Sequence, residues 1–252
     1  MIKFVGAGPG DKELITVKGM NALKSAGCII YAGSLVNDEL LDYASEDCDC
    51  FNSAFMTLEE VVVMMKKYYL QGKSVVRLHT GDPSIYGAIR EQIDLLIEDK
   101  INYEVIPGVS SFLGAAASIG AEYTLPGVTQ TVILTRMEGR TKVPKKEKIS
   151  SLANIGASMA IFLSAKLLKE LVEELLLGGY SDDTKACIIY KATWKDEKII
   201  HTTVNSLYED AKKANITKTA LILVGDFLGN RYERSKLYDS KFSHEFRSGS
   251  DE

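Results

Sequence analysis

Residues 2–11 read IKFVGAGPGD, an apolar run that breaks into Gly6, Gly8 and Gly10. A break of this kind suits a ligand-binding turn, and the chemistry hinges on whether it holds a phosphate. A dinucleotide-binding fingerprint needs a third glycine three residues after the second, and an acidic residue closing the next strand. Asp11 stands at the first of these positions, and the next apolar run ends Tyr31-Ala32. A phosphate cradle also relies on backbone N–H donors. Pro9 has none, and the Asp11 carboxylate would repel a pyrophosphate. GAGPGD therefore reads as a tight turn with exposed backbone and a poor anion site. As a plain packing turn it would only reverse the chain.

Three further stretches could carry chemistry. LHTGDPSIYG, residues 78–87, leaves an apolar run and places Thr80, Gly81 and Asp82 where open α/β sheets bind ligands, beyond a strand's carboxyl end. Asp82 can accept hydrogen bonds from hydroxyl or ammonium groups. Followed by Pro83, it also has the form of a helix N-cap, and both roles fit one carboxylate. His79 beside it reads as a hydrogen-bonded structural residue rather than a catalyst. Ser110-Ser111 after Pro107-Gly108 opens a small-residue segment. Serine suits a cap there, and no His/Asp pattern marks it as a nucleophile. In TRMEGRTKVPKK, Arg136, Arg140, Lys142, Lys145 and Lys146 cluster after an apolar run. This is either a solvated loop or a match for a ligand with several carboxylates. Cys28, Cys48, Cys50 and Cys187 form no CxxC pair, and Cys48-x-Cys50 has no companions to complete four ligands. No metal site is assigned, and reduced thiols in a cytoplasmic protein are expected.

The elements that must position these residues alternate through the first hundred positions. IKFVG, CIIY, SVVRLH and YEVIP read as strands, and 16–26, 57–70 and 85–98 as helices. That alternation implies a mostly parallel sheet covered by helices. VSSFLGAAASIGA reads as a short, tightly packed helix, and the turn at Pro126-Gly127 follows it. In the second half TVILTR, SMAIFL, KACIIYKAT, EKIIHTTV and TALILVG read as strands, with helices at 166–177 and 205–213. Two strands in immediate succession around Trp194 to Asp196 imply an antiparallel pair and a mixed sheet. The expected organisation is an N-terminal α/β domain over 1–112, a C-terminal α/β domain over 113–234 and a tail over 235–252 whose end is disordered. The 252 residues are 46% hydrophobic and 25% charged, which suits a folded globular chain. A net charge of −4 offers nucleic acid or an anionic membrane no global attraction. The chain enters a strand at once without a leader pattern, and no apolar run approaches the roughly 18–20 residues of a membrane span.

VGAGPGDKELIT, HTGDPSIYGA, PGVSS, AIFLS and YKATW, in this order across nearly the whole chain, resemble the tetrapyrrole methyltransferases that use S-adenosylmethionine. Within that family, YAGSLV, TRMEGRTKVP, YKATWKDEKI and SKLYDSKF are similar to the branch that methylates C11 of precorrin-4 or its cobalt form in cobalamin biosynthesis. The resemblance implies two α/β domains, a homodimer, and S-adenosylmethionine in the cleft between the domains. The positions that match the family's cofactor contacts are Pro9, Thr80, Gly81, Asp82, Ile85, Ser110, Ser111, Leu163 and Ala192. Candidate partners for the acetate and propionate groups of the tetrapyrrole are Tyr31, Arg77, His79, Arg136 and Arg140.

Three positions depart from family patterns. Uroporphyrinogen methyltransferases carry an aspartate proton acceptor after the tyrosine that ends the second strand, where this chain has Ala32. Leu163 stands where those enzymes usually carry methionine, and Lys142 replaces the first proline of the RTPVP loop. Ala32 speaks against uroporphyrinogen as substrate. Another precorrin or uroporphyrinogen methyltransferase is the alternative within the family. A non-catalytic tetrapyrrole-binding protein and a nicotinamide oxidoreductase are the alternatives outside it. Cobalt-bearing and metal-free substrates are not separable by sequence, and no proton acceptor is identified.

Overall fold

The computed structural model describes residues 1–236 and 239–250. Leu237 and Tyr238 of the SKLYDSKF tract lie outside them, as do Asp251 and Glu252 of the end expected to be disordered. The chain divides into two compact units, Met1–Ser118 with Tyr190–Lys198, and Ile119–Ile189 with Ile199–Glu252. The return of Tyr190–Lys198 to the first unit is absent from the sequence reading, which runs the second domain continuously over 113–234.

The first unit contains β1 (Ile2–Gly6), α1 (Val17–Lys24), β2 (Cys28–Tyr31), β3 (Asp49–Asn52), α2 (Leu58–Leu70), β4 (Val75–His79), α3 (Ile89–Glu98), β5 (Tyr103–Ile106) and α4 (Ser111–Ile119). Its sheet has the order β3-β2-β4-β1-β5, and all four pairings are parallel. The strands are apolar on both faces because both faces are covered. Val5, Ile29, Val76 and Leu78 join Leu23 of α1 in one core. Ile2, Phe4, Cys28, Ile30 and Val75 join Val61, Met65 and Leu96 of α2 and α3 in the other. Thr57 and Glu60 close a capping box that starts α2. Strand β3 was not foreseen. It is an edge strand, exposed at Asp49 and Cys50 and half-buried at Phe51 and Asn52, whose sequence, DCFN, lacks the apolar pattern of its neighbours.

Helix α3 begins at Ile89, four residues later than the periodicity predicts. Tyr86 and Ala88 both have left-handed backbone, at φ 55° and 49°, and end helical continuity before it.

The second unit contains β6 (Val132–Arg136), α5 (Ile149–Ala153), β7 (Ser158–Phe162), α6 (Leu168–Leu177), β8 (Lys185–Tyr190), β9 (Lys198–Thr203), α7 (Leu207–Lys213) and β10 (Ala220–Val224). The sheet order is β6-β7-β10-β8-β9. It is mixed, as expected, since β6 and β7 run parallel while β7 and β10 run antiparallel. In the tail, His244 and Arg247 exchange backbone hydrogen bonds of 2.8 and 3.0 Å. No helix among the described residues is long and apolar enough to cross a membrane.

Candidate functional site

Because β1 lies between β4 and β5, the loops leaving the carboxyl ends of these three strands are neighbours. Gly8 and Gly81 bridge two of the loops with reciprocal backbone hydrogen bonds of 3.2 and 2.9 Å, and the Ala7 N–H donates to the His79 carbonyl at 2.7 Å. The third loop closes against them with no room for a side chain. A Cβ on Gly108 would stand 2.3 Å from the Gly81 carbonyl oxygen and 2.7 Å from the Gly6 Cα. Only glycine permits that approach.

Asp82 fastens the same junction. Its Oδ2 accepts from the Gly108 N–H at 2.8 Å, and its Oδ1 accepts from the Ser84 N–H at 2.8 Å and from the Ser84 hydroxyl. Burial pushes this carboxyl up, but the bonds from Ser84 and Gly108 outweigh it and hold it below the usual carboxylate range. Asp82 therefore braces two loops and does not cap α3, which corrects the N-cap expectation; the residue at that cap is Ala88.

The junction brings together Pro9, Thr80, Gly81, Asp82, Ser110, Ser111 and Ala192. Gly81 approaches Ser110 and Ser111, where a Cβ would lie 3.4 Å from the backbone of each, and the Thr80 hydroxyl donates to the Leu35 carbonyl at 2.8 Å. The Pro9 ring packs on α4 at Gly114, where a Cβ would meet it at 2.7 Å, and the Ala192 carbonyl lies over Gly10. Half-buried Ile85 sits one turn along, its N–H bonded to the Asp82 carbonyl at 3.2 Å. These groups are small, neutral or backbone. The Asp82 carboxylate is engaged internally, and none of these residues is a lysine or arginine. Such a donor set fits a ligand that carries a sulfonium cation and fits a phosphate poorly.

Leu163 belongs to the second unit. It follows β7 with a left-handed backbone, φ 54°, and its side chain is 69% exposed.

Among the expected substrate partners, Tyr31 is half-buried at the end of β2. Arg77 and His79 lie inside the first unit, away from the role of meeting carboxylates. The Arg77 guanidinium donates through Nε to the Gln92 Oε1 at 3.2 Å and through one terminal nitrogen to the Ile30 carbonyl at 3.1 Å. Burial lowers its pKa to about 10. His79 stacks on Phe4 with ring centroids 5.9 Å apart, and its Nε2 has no hydrogen-bond partner among the described residues. Burial, aided by Arg77, lowers its pKa to about 3, so the ring is neutral.

Arg136, at the end of β6, organises the basic loop. Its guanidinium donates to the carbonyls of Met137 at 3.1 Å, Thr141 at 3.2 Å and Lys142 at 3.2 Å. The Met137 N–H is bonded to the Ser164 hydroxyl at 2.9 Å, next to Leu163. Arg140 is exposed on this loop. An open pocket of about 400 Å³ lies alongside, lined by Arg136, Glu138, Val143, Lys148, Ile149 and Glu174.

Sequence reasoning missed Thr193, Trp194 and Glu197, which touch the Pro9 loop or the turn beside it. The signal was the tract YKATWKDE, which holds the chain's single tryptophan.

Comparison with known proteins follows the same lines. The family model described as Tetrapyrrole (Corrin/Porphyrin) Methylases matches residues 1–208. The chain is 54% identical over 245 residues to a cobalt-precorrin-4 C(11)-methyltransferase of Methanocaldococcus jannaschii, covering 97% of this chain and 95% of that one. It is 48% identical over 251 residues to the enzyme of the same name from Priestia megaterium, covering 98% and 97%. A solved structure described as a cobalamin biosynthetic enzyme, cobalt precorrin-4 methyltransferase, superposes with a TM-score of 0.89 at 46% identity, over 91% of this chain and 96% of that one.

Proposed function

Because the chain belongs to the tetrapyrrole methylase family, we propose that it methylates C11 of cobalt-precorrin-4 with S-adenosylmethionine as donor, giving cobalt-precorrin-5. The observation that carries this reading is the near-complete coverage of two relatives named for that activity, at 54% and 48% identity.

S-adenosylmethionine supplies a methyl group bonded to a cationic sulfur, which becomes neutral on transfer. The chain's part is to hold donor and acceptor in line. Alignment at near-attack distance provides much of the rate for a ring carbon that is already electron-rich. Pro9, Thr80, Gly81, Ser110, Ser111 and Ala192 offer an uncharged surface that adds no like charge to a cation. With no free carboxylate among these residues to stabilise the charged ground state, such a surface favours the loss of that charge. Ile85 and Leu163 complete the proposed cofactor contacts. Asp82 keeps the loops in register, since both its oxygens accept from the chain itself.

The substrate's carboxylates are assigned to exposed Arg140, to Tyr31 and to the loop that Arg136 holds. Exposed Phe55 in the turn before α2, with exposed Val63 and Leu70 on α2, supports a homodimer. Four free cysteines support a reducing cytoplasm.

The test is anaerobic turnover of cobalt-precorrin-4 and of the metal-free precorrin with isotopically labelled donor, read by product mass. A mass increase of one methyl with the cobalt form is expected. Turnover of neither tetrapyrrole would overturn the assignment.

A further inference from the structure

The turn inside Tyr190–Lys198 carries backbone strain. Lys191 and Thr193, on either side of Ala192, both have left-handed backbone, at φ 48° and 68°. For a β-branched residue such as Thr193 this is a true outlier, which persists only where its surroundings enforce it.

The enforcing contacts are specific. The Thr193 N–H donates to Glu197 Oε2 at 2.6 Å, and the same oxygen accepts from the Ser118 hydroxyl of α4 at 2.6 Å. The Thr193 hydroxyl accepts from the Asp11 N–H at 3.0 Å. The Trp194 indole N–H donates to the Pro9 carbonyl at 3.1 Å. Its ring covers Gly10 so closely that a Cβ there would stand 2.0 Å from the indole Cδ1. Lys191 Nζ lies 4.9 Å from the centroid of the indole and pairs with Asp196 at 2.7 Å.

The effect on residues 8–11 is unusual. Each of the four carries a backbone hydrogen bond to a different residue: Gly8 to Gly81, Pro9 to Trp194, Gly10 to Asn37 at 2.9 Å, and Asp11 to Thr193. The turn supplies two of the four anchors and also presents Ala192. Pro9 cannot donate, so its carbonyl is the one backbone group by which this residue can be held.

We infer that Thr193, Trp194 and Glu197 are positioning residues that fix Pro9 and Ala192 for donor binding. The inference rests on the cofactor reading above, and it deepens that reading from a set of contacts to the device that holds them.

The experiment is calorimetric titration of the full chain with S-adenosylhomocysteine, together with emission from Trp194, the single tryptophan. Wild type is expected to bind, with a change in emission. Thr193→Val, which removes the acceptor of one hydrogen bond, is expected to bind about five- to tenfold more weakly, and Glu197→Ala, which removes the acceptor of two, at least as weakly. Thr193→Ser keeps the hydroxyl and should restore wild-type affinity. The weakening should appear in KM for the donor with kcat kept within about twofold, a split that loss of folded protein alone would not produce. Wild-type affinity in both Thr193→Val and Glu197→Ala would overturn the inference alone. Should those two fail to fold, Trp194→Phe keeps a ring over Gly10 and loses only the N–H; wild-type affinity there would overturn it equally. Absence of binding by the wild-type chain would overturn the cofactor reading itself, and this inference with it.

Discussion

The two units hold their functional loops by opposite means. In the first, three loops meet backbone to backbone at Gly6, Gly81 and Gly108, and at Gly6 and Gly108 the space for even a methyl group is already filled. In the second, one side chain, Arg136, gathers the carbonyls of Met137, Thr141 and Lys142 around itself. The first arrangement is broken by adding atoms and the second by removing them. Their interiors differ in the same sense. The first unit buries Arg77, His79 and Gln92, whereas the buried polar side chains of the second are the hydroxyls of Thr135, Ser158, Ser164 and Thr184. A hydroxyl bonds a nearby carbonyl at little cost, as Ser158 does to Tyr123 at 2.7 Å. A buried guanidinium and an imidazole with an unpartnered nitrogen make the first unit sensitive to protons as well as to volume.

The largest effect expected from this contrast is that of Gly108→Ala. The added methyl overlaps two backbones that cannot separate without opening the sheet end, so a loss of about 3 kcal/mol or more is expected in urea denaturation. A loss below about 1 kcal/mol would show that the loops are not packed as tightly as described.

The next concerns pH. His79 has a folded pKa of about 3 against an ordinary 6.5. The unfolded chain therefore binds a proton that the folded chain refuses between these values. Stability from this group is full above pH 6.5 and falls as the pH drops toward 3, by at most roughly 5 kcal/mol. His79→Phe should flatten that part of the stability-against-pH curve, measured by denaturation at a series of pH values. An unchanged slope would place the acid sensitivity elsewhere. Asp82 acts in the same direction at lower pH. Its carboxyl is held below the usual range, so the bracing it provides is present above its unfolded pKa and is lost as the pH falls through the folded one.

In the second unit Arg136→Lys keeps the charge but cannot reach three carbonyls with a planar fork. KM for the tetrapyrrole is expected to rise about tenfold, the equivalent of roughly 1.4 kcal/mol, while stability falls by about 1 kcal/mol. If the steady-state KM does not move, the loop does not depend on the guanidinium. The smallest effect on the fold is that of Arg140→Ala, an exposed residue on the loop whose carbonyls Arg136 holds. Stability should stay within about 0.5 kcal/mol, and KM for the tetrapyrrole should rise a few-fold. Unchanged KM would remove Arg140 from the substrate contacts.

Much of the fold was legible because the parallel sheet is covered on both faces, so that IKFVG, CIIY and SVVRLH are near-continuous apolar runs. The edge strand β3 was not, since a half-exposed DCFN carries no such pattern. The late start of α3 was hidden as well. Nothing in PSIYGAIR announces left-handed backbone at Tyr86 and Ala88. At the site, Pro9 and the TGDP turn stood out because proline fixes the backbone and glycine frees it, and both effects can be read locally. Asp82 was misread in part because a cap and a brace use the same carboxylate, and only the distant Gly108 N–H distinguishes them. Arg77 looked like a free cation because its partners, Gln92 and the Ile30 carbonyl, come from other elements of the sheet and helix layers. The grip of Thr193 and Trp194 on the Pro9 loop joins positions more than 180 residues apart. No local pattern encodes such a contact.

The central claim is the position of the new methyl group. Anaerobic incubation of the full chain with cobalt-precorrin-4 and donor carrying a ¹³C-labelled methyl group, followed by NMR of the product, tests it most directly. One labelled methyl bonded to C11 is the result this account predicts; a methyl at any other ring carbon would contradict it.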